Sequence, residues 1–144
     1  MTLALNNSVG ITKTIVPGHK RSSVLPTRFP GLFLVYEMLV YRYKETFCQS
    51  YSAGYWDFVE LSNGGFFMSL RSSQPCKLII PANGFERVMT AEAASIVINI
   101  FALSQLAKEH KIGFLIDMYY ALRDFACDHP ESYQILSAIE VQHG

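Results

Sequence analysis

The sequence lacks a surplus of charge of either sign: twelve Lys and Arg stand against twelve Asp and Glu in 144 residues. Large-scale imitation of DNA is excluded on that ground. B-DNA carries one negative charge per about 1.7 Å, so roughly 20 Å of mimic needs on the order of a dozen uncompensated acids. The same balance argues against a broad phosphate-tracking surface, and no strong nucleic-acid binding is expected. Cysteines in a paired pattern are also missing. Cys48, Cys76 and Cys127 are an odd count at scattered positions, and they read as reduced thiols of a cytoplasmic protein. Cys127-x-His129 alone is too few ligands for a structural zinc site, so no metal and no cofactor is expected. Long apolar runs are absent too. The most apolar stretch, Ala93–Ala107, is interrupted by Ser95, Asn99, Ser104 and Gln105, whereas a bilayer span takes about 20 predominantly apolar residues. The opening MTLALNNSVG is too short and polar for a signal peptide. A protein without a membrane partner is the expectation.

What the sequence does contain is apolar and aromatic. Half of it is hydrophobic, with ten Phe, eight Tyr and one Trp, enough for one real core and incompatible with a wholly disordered chain. Residues 1–28 read as a flexible basic N-terminal arm carrying Lys13, His19, Lys20, Arg21 and Arg28, with one short strand-like run at Ile11–Val16. Residues 29–144 read as a single domain. Its first helix runs from Leu32 to about Cys48, with Leu32, Val35, Leu39, Arg42/Tyr43 and Phe47 recurring at helical steps.

A hairpin follows, two strand-like runs around Asn63, Gly64 and Gly65, which form the structural turn. Closed by a two-residue turn, it puts Trp56, Phe58, Glu60, Phe67, Ser69 and Arg71 on one face and Tyr55, Val59, Leu61, Phe66, Met68 and Leu70 on the other. Asp57 falls among the second set as an edge residue or a buried, hydrogen-bonded carboxylate. Lys77–Ile80 offers a third strand for a meander before the Asn83-Gly84 turn.

The last third is helical. Thr90 caps a helix whose residues from Ala93 to Ala107 are apolar almost all round, which marks a central helix. A second helix spans about Gly113–Cys127, with Leu115, Tyr119, Leu122 and Phe125/Ala126 inward. After the break at Asp128-His129-Pro130, a third burying Tyr133, Leu136 and Ile139 spans about Glu131–Glu140. The fold class is α+β: a small antiparallel sheet, hairpin or meander, packed with about four helices.

At this point a resemblance enters. YSAGYWDFVELSNGGFFMSL (Tyr51–Leu70) resembles the signature segment of the ArdB/KlcA antirestriction family. RFPGLFLVYEMLVY (Arg28–Tyr41), MTAEAASIVINIFALSQLA (Met89–Ala107) and YYALRDFACDHPES (Tyr119–Ser132) are similar, in order, to its first helix, central helix and C-terminal break. The likeness covers about Arg28–Glu140. Ala53, Phe67 and Leu70 depart from it, standing where Gly, Tyr and Pro are common. It implies a protein that spares incoming plasmid or phage DNA by inhibiting type I restriction-modification enzymes.

For mechanism, the residues themselves favour protein contacts. Trp56, Phe58, Glu60, Phe67 and Arg71 are the candidate partner-binding residues, because aromatics with Arg typify interface hot spots. The partner is then the type I restriction-modification complex, reached directly or indirectly, and a homodimer stays open. The alternative is a small nucleic-acid-binding module using the basic arm and Arg71 to occupy DNA. Catalysis is not expected. Ser62 lacks a strand-to-helix elbow, and Asn63-Gly64-Gly65 joins strand to strand with no helix N-terminus to hold a phosphate.

Overall fold

The computed structural model describes residues 10–48 and 54–141, and it begins with a sheet edge. Strand β1 (Lys13–Ile15) pairs antiparallel with β2 (Trp56–Leu61), which pairs with β3 (Phe66–Leu70), in the order β1-β2-β3. A 3-10 turn at Gly18–Lys20 leads into helix α1 (Arg21–Arg28). Val16, Val24, Leu25 and Phe29 enter the core, and the Phe29 ring stacks 4.0 Å from Tyr36. The reading of residues 1–28 as a flexible arm is therefore corrected for residues 10–28. The pattern was hard to see because the strand and the 3-10 turn bury no residue, and Val16, Val24, Leu25 and Phe29 follow no common period. Residues 1–9 of that segment lie outside the described residues.

Helix α2 (Phe33–Phe47) buries Tyr36, Leu39, Val40 and Phe47. Its inner stripe is rotated from the expected one, since Val35 and Arg42 are exposed. Strand β4 (Cys76–Ile80) does not extend the first sheet. It pairs with β5 (Phe85–Met89) in a separate two-stranded ribbon. The expected meander cannot form because both edges of the β2–β3 hairpin are taken, one by β1 and the other by a helix.

That helix is α3 (Ala91–His110), with thirteen buried residues. The Thr90 hydroxyl accepts the Ala93 N–H at 3.1 Å, as an N-cap should. Where α3 passes β3, two side chains stand in for a missing strand. The Asn99 amide accepts the Met68 N–H (2.9 Å) and donates to the Met68 carbonyl (2.8 Å), and the Ser95 hydroxyl accepts the Leu70 N–H (2.9 Å). The spacing works because four helical residues rise about 6.0 Å and two strand residues about 6.8 Å. Tyr36 donates its hydroxyl to the same Asn99 oxygen. Unpaired backbone groups at a buried edge would be costly, and this network removes them.

Helices α4 (Gly113–Asp128) and α5 (Ser132–Val141) follow. Helix α4 buries Leu115, Met118, Leu122, Phe125 and Ala126, with Tyr119 partly covered. In α5, Ile135, Ala138 and Ile139 are buried while Tyr133 is 72% exposed, which corrects the inward placement of Tyr133. The architecture is α+β: among the described residues, five helices and two small antiparallel sheets.

Candidate functional site

The hairpin loop decides which side chains can meet a partner. The Leu61 N–H bonds the Gly65 carbonyl (2.9 Å) and the Gly64 N–H bonds the Leu61 carbonyl (3.0 Å), so Ser62-Asn63-Gly64 form a three-residue loop. Asn63, Gly64 and the adjoining Gly65 have separate tasks. Asn63 accepts the Gly65 N–H (3.0 Å) and donates to the Ala121 carbonyl (2.9 Å). Gly64 takes φ +90°, the left-handed region that closes such loops. At Gly65 a Cβ would stand 3.1 Å from the Ala121 side chain, so the glycine admits the turn to α4.

One loop residue more than a two-residue turn changes the pairing parity. Glu60 faces Phe66, Phe58 faces Met68 and Trp56 faces Leu70. The expected face is thereby corrected: Phe67 and Arg71 lie on the opposite side of the sheet from Trp56, Phe58 and Glu60. Nor is it an exposed aromatic face. Trp56, Phe58 and Phe67 are 9%, 6% and 0% exposed, with Phe67 against Phe125 at 5.9 Å between ring centres. Glu60 pairs with Arg28 (3.4 Å), whose guanidinium also donates to the Gly64 and Gly65 carbonyls. Asp57 is a buried carboxylate held by Arg71 at 2.6 Å.

The structure brings Arg71 together instead with Arg21 and Tyr55. The two guanidinium carbons lie 4.3 and 4.7 Å from the centre of the half-exposed Tyr55 ring, within reach of cation–π attraction. Arg21 also covers Phe58 (4.1 Å) and donates to the Trp56 carbonyl (2.8 Å), while Arg71 is held by Asp57. Both cations are anchored, and so pre-organised. The Tyr41 ring lies 5.9 Å from Trp56. Its hydroxyl is pushed up to about 12 by burial and by Glu37, whose carboxylate accepts its hydrogen bond at 2.9 Å. From Tyr41 an apolar stripe continues along the outer face of α2 through Met38 and Leu34, 55% and 65% exposed. These positions recur at helical spacing opposite the buried stripe, so from Phe33 to Tyr41 helix α2 is apolar nearly all round, with Glu37 the exception. Such a helix is normally covered on every side.

A second candidate is a cleft of about 920 Å³ between β1, the end of β3, the start of α3 and the α4–α5 junction. Three of its titratable groups, Lys13, Glu92 and His129, are engaged with one another. His129 accepts the Glu131 N–H at Nδ1 (2.9 Å), so its proton sits on Nε2 and is shared with Glu92 (2.9 Å). Lys13 of β1 pairs with the same Glu92. The His129 hydrogen bond foremost, then Lys13, hold the Glu92 carboxyl at about 2 against the opposing effect of burial. This cluster ties β1, α3 and the α4–α5 junction together, and both imidazole nitrogens are taken up by hydrogen bonds within it.

Comparison with known families identifies residues 49–140 as matching the antirestriction proteins. The chain belongs to the antirestriction protein family.

Within that family, the antirestriction protein KlcA of Escherichia coli is 38% identical over 135 residues, spanning 90% of this chain and 95% of KlcA. The uncharacterized protein YafX of Escherichia coli strain K12 is 35% identical over 134 residues, spanning 90% of this chain and 88% of YafX. A solved structure superimposes with TM-score 0.83 at 39% identity, covering 90% of this chain and 94% of that one. It comes from work describing KlcA and ArdB as having a novel fold and antirestriction activity against type I DNA restriction systems in vivo but not in vitro. The resemblance read from the sequence is thus correct at the level of family and fold. Tyr51 to Ala53 of the signature segment, including the Ala53 departure, lie outside the described residues. Sequence reasoning placed Arg21 only in the basic arm and Tyr55 only on a hairpin face, and passed over Leu34, Met38 and Tyr41. The all-round apolar pattern of α2 was the available signal; the meeting of Arg21 and Arg71 had none.

Proposed function

We propose that this antirestriction protein spares unmodified DNA from type I restriction inside the cell by a non-enzymatic protein contact, made through the surface of Arg21, Tyr41, Tyr55 and Arg71 and the outer stripe of α2. The pre-organised Arg21–Tyr55–Arg71 cluster beside exposed Met38 and Leu34 is the observation that carries the reading. Tyr, Arg and Met are the residue types enriched at interfaces, and apolar anchors flanked by cations fit a protein partner with an apolar segment and carboxylates beside it. DNA mimicry is disfavoured because Asp57, Glu60, Glu86 and Glu92 each sit in an ion pair with Arg71, Arg28, Lys77 and Lys13. The pairing of Lys13, Arg28 and Lys77 also leaves fewer cations for DNA. The activity of the KlcA and ArdB relatives in vivo but not in vitro is what an action through a further cellular component gives.

The test is plating of unmodified phage on a strain with an active type I system. Expression of the wild-type chain is expected to restore plating, with no effect in a restriction-deficient strain. Tyr55→Ala, Arg21→Ala and Met38→Glu are expected to stay folded and lose most of the protection. Full protection by all three would remove the surface from the mechanism, and no protection by the wild type would remove the function. A contact that weakens steeply between about 50 and 200 mM salt would favour nucleic acid as the partner.

A further inference from the structure

Cys48 follows the last turn of α2 and Cys76 opens β4, and the two are joined as a disulfide across 28 positions. Neither has any exposed surface. Their Cα atoms are 6.6 Å apart, within the range that a disulfide bridges without moving the backbone. The reading of all three cysteines as unpaired thiols is thereby corrected; only Cys127 is free, and it is exposed. The bond closes a loop around the β2–β3 hairpin and fixes the end of α2 to the β4–β5 ribbon, which belongs to a different sheet.

We propose that Cys48 and Cys76 form a redox clasp, open as a dithiol in a reducing compartment and closed by exchange with a low-molecular-weight disulfide such as oxidised glutathione. In the closing reaction one protein thiolate attacks a glutathione sulfur and releases one reduced glutathione. The second protein thiolate then attacks the mixed disulfide and releases the other. Two electrons pass from the cysteines to glutathione, and the two thiol protons end on the released thiols. Because both sulfurs are buried, exchange waits for the last turn of α2 to open, whereas exposed Cys127 reacts at once. Closure stabilises the fold mainly by restricting the unfolded chain. For a loop of this length the expected gain is a melting temperature higher by roughly 7–14 °C.

The experiment uses the full chain carrying Cys127→Ser, so that only the pair can react. Samples equilibrated in reduced or oxidised glutathione are quenched with acid, alkylated after unfolding and weighed, and parallel samples are melted. Two alkylated cysteines in the reduced sample, none in the oxidised one, and a higher melting temperature for the oxidised sample are expected. Glutathione adducts in place of the internal bond, or equal melting temperatures of the two forms, would overturn the proposal. Both readouts are made on the native pair, so the outcome does not depend on whether a serine variant at Cys48 or Cys76 folds.

Discussion

The two hairpins of this protein share a turn signal and differ in almost everything else. Both place Asn-Gly at the reversal, with Gly64 at φ +90° and Gly84 at φ +76°. In both, the Asn side chain accepts the N–H two residues on, at 3.0 Å. Yet the Asn63 amide also docks on α4, while the Asn83 amide nitrogen is buried without a partner. The strands of hairpin β2–β3 are covered on both faces, with Glu60 their one partly exposed residue, whereas β4 alternates buried and exposed. The turn chemistry is local and legible in both. Register is legible only where one face meets water, because alternation then reveals which residues point inward.

The largest expected effect sharpens that contrast. Phe67→Ala removes a ring with no exposed surface and should cost about 3–5 kcal/mol. Ile79→Ala, at a 38% exposed position of the ribbon, should cost under about 1 kcal/mol. Urea unfolding of the two chains checks this, and equal losses would mean that the ribbon is as deeply packed as the hairpin. Next, Gly64→Val and Gly84→Val should each cost about 1–3 kcal/mol, because left-handed backbone strains a β-branched residue wherever it sits. A loss at Gly64 alone would show that docking on α4, and not backbone conformation, makes the first turn matter.

The smallest effect concerns what anchors β1 beside the first hairpin. Glu92 is held at about 2, below its ordinary 4.5. A depressed carboxyl contributes stability that is present above pH 4.5 and lost as pH falls toward about 2. In melting curves, the gap between the wild type and Glu92→Gln should therefore narrow across that window. A constant gap would detach the Lys13–Glu92–His129 cluster from acid stability.

Composition, periodicity and collinear motifs were enough for the α+β class, for the central helix from Thr90 onward and for the family. Each of these rests on local chemistry: a capping hydroxyl, an all-round apolar stretch, an Asn-Gly turn. The candidate surface was less accessible. Arg71 was named from the sequence, but a three-residue loop put Phe67 on the face opposite Trp56 and Phe58, and all three are buried because both faces of the hairpin are covered. Tertiary structure alone decided that Arg21 from α1 would meet Arg71 from beyond β3 over Tyr55, and that β1 would take one edge of β2. It also decided that Asn99 and Ser95 would seal the other edge of the sheet, and that Cys48 would reach Cys76. These pairings join residues 16 to 50 positions apart. They depend on how packed elements are aimed at one another, and no local propensity or period in the chain encodes that.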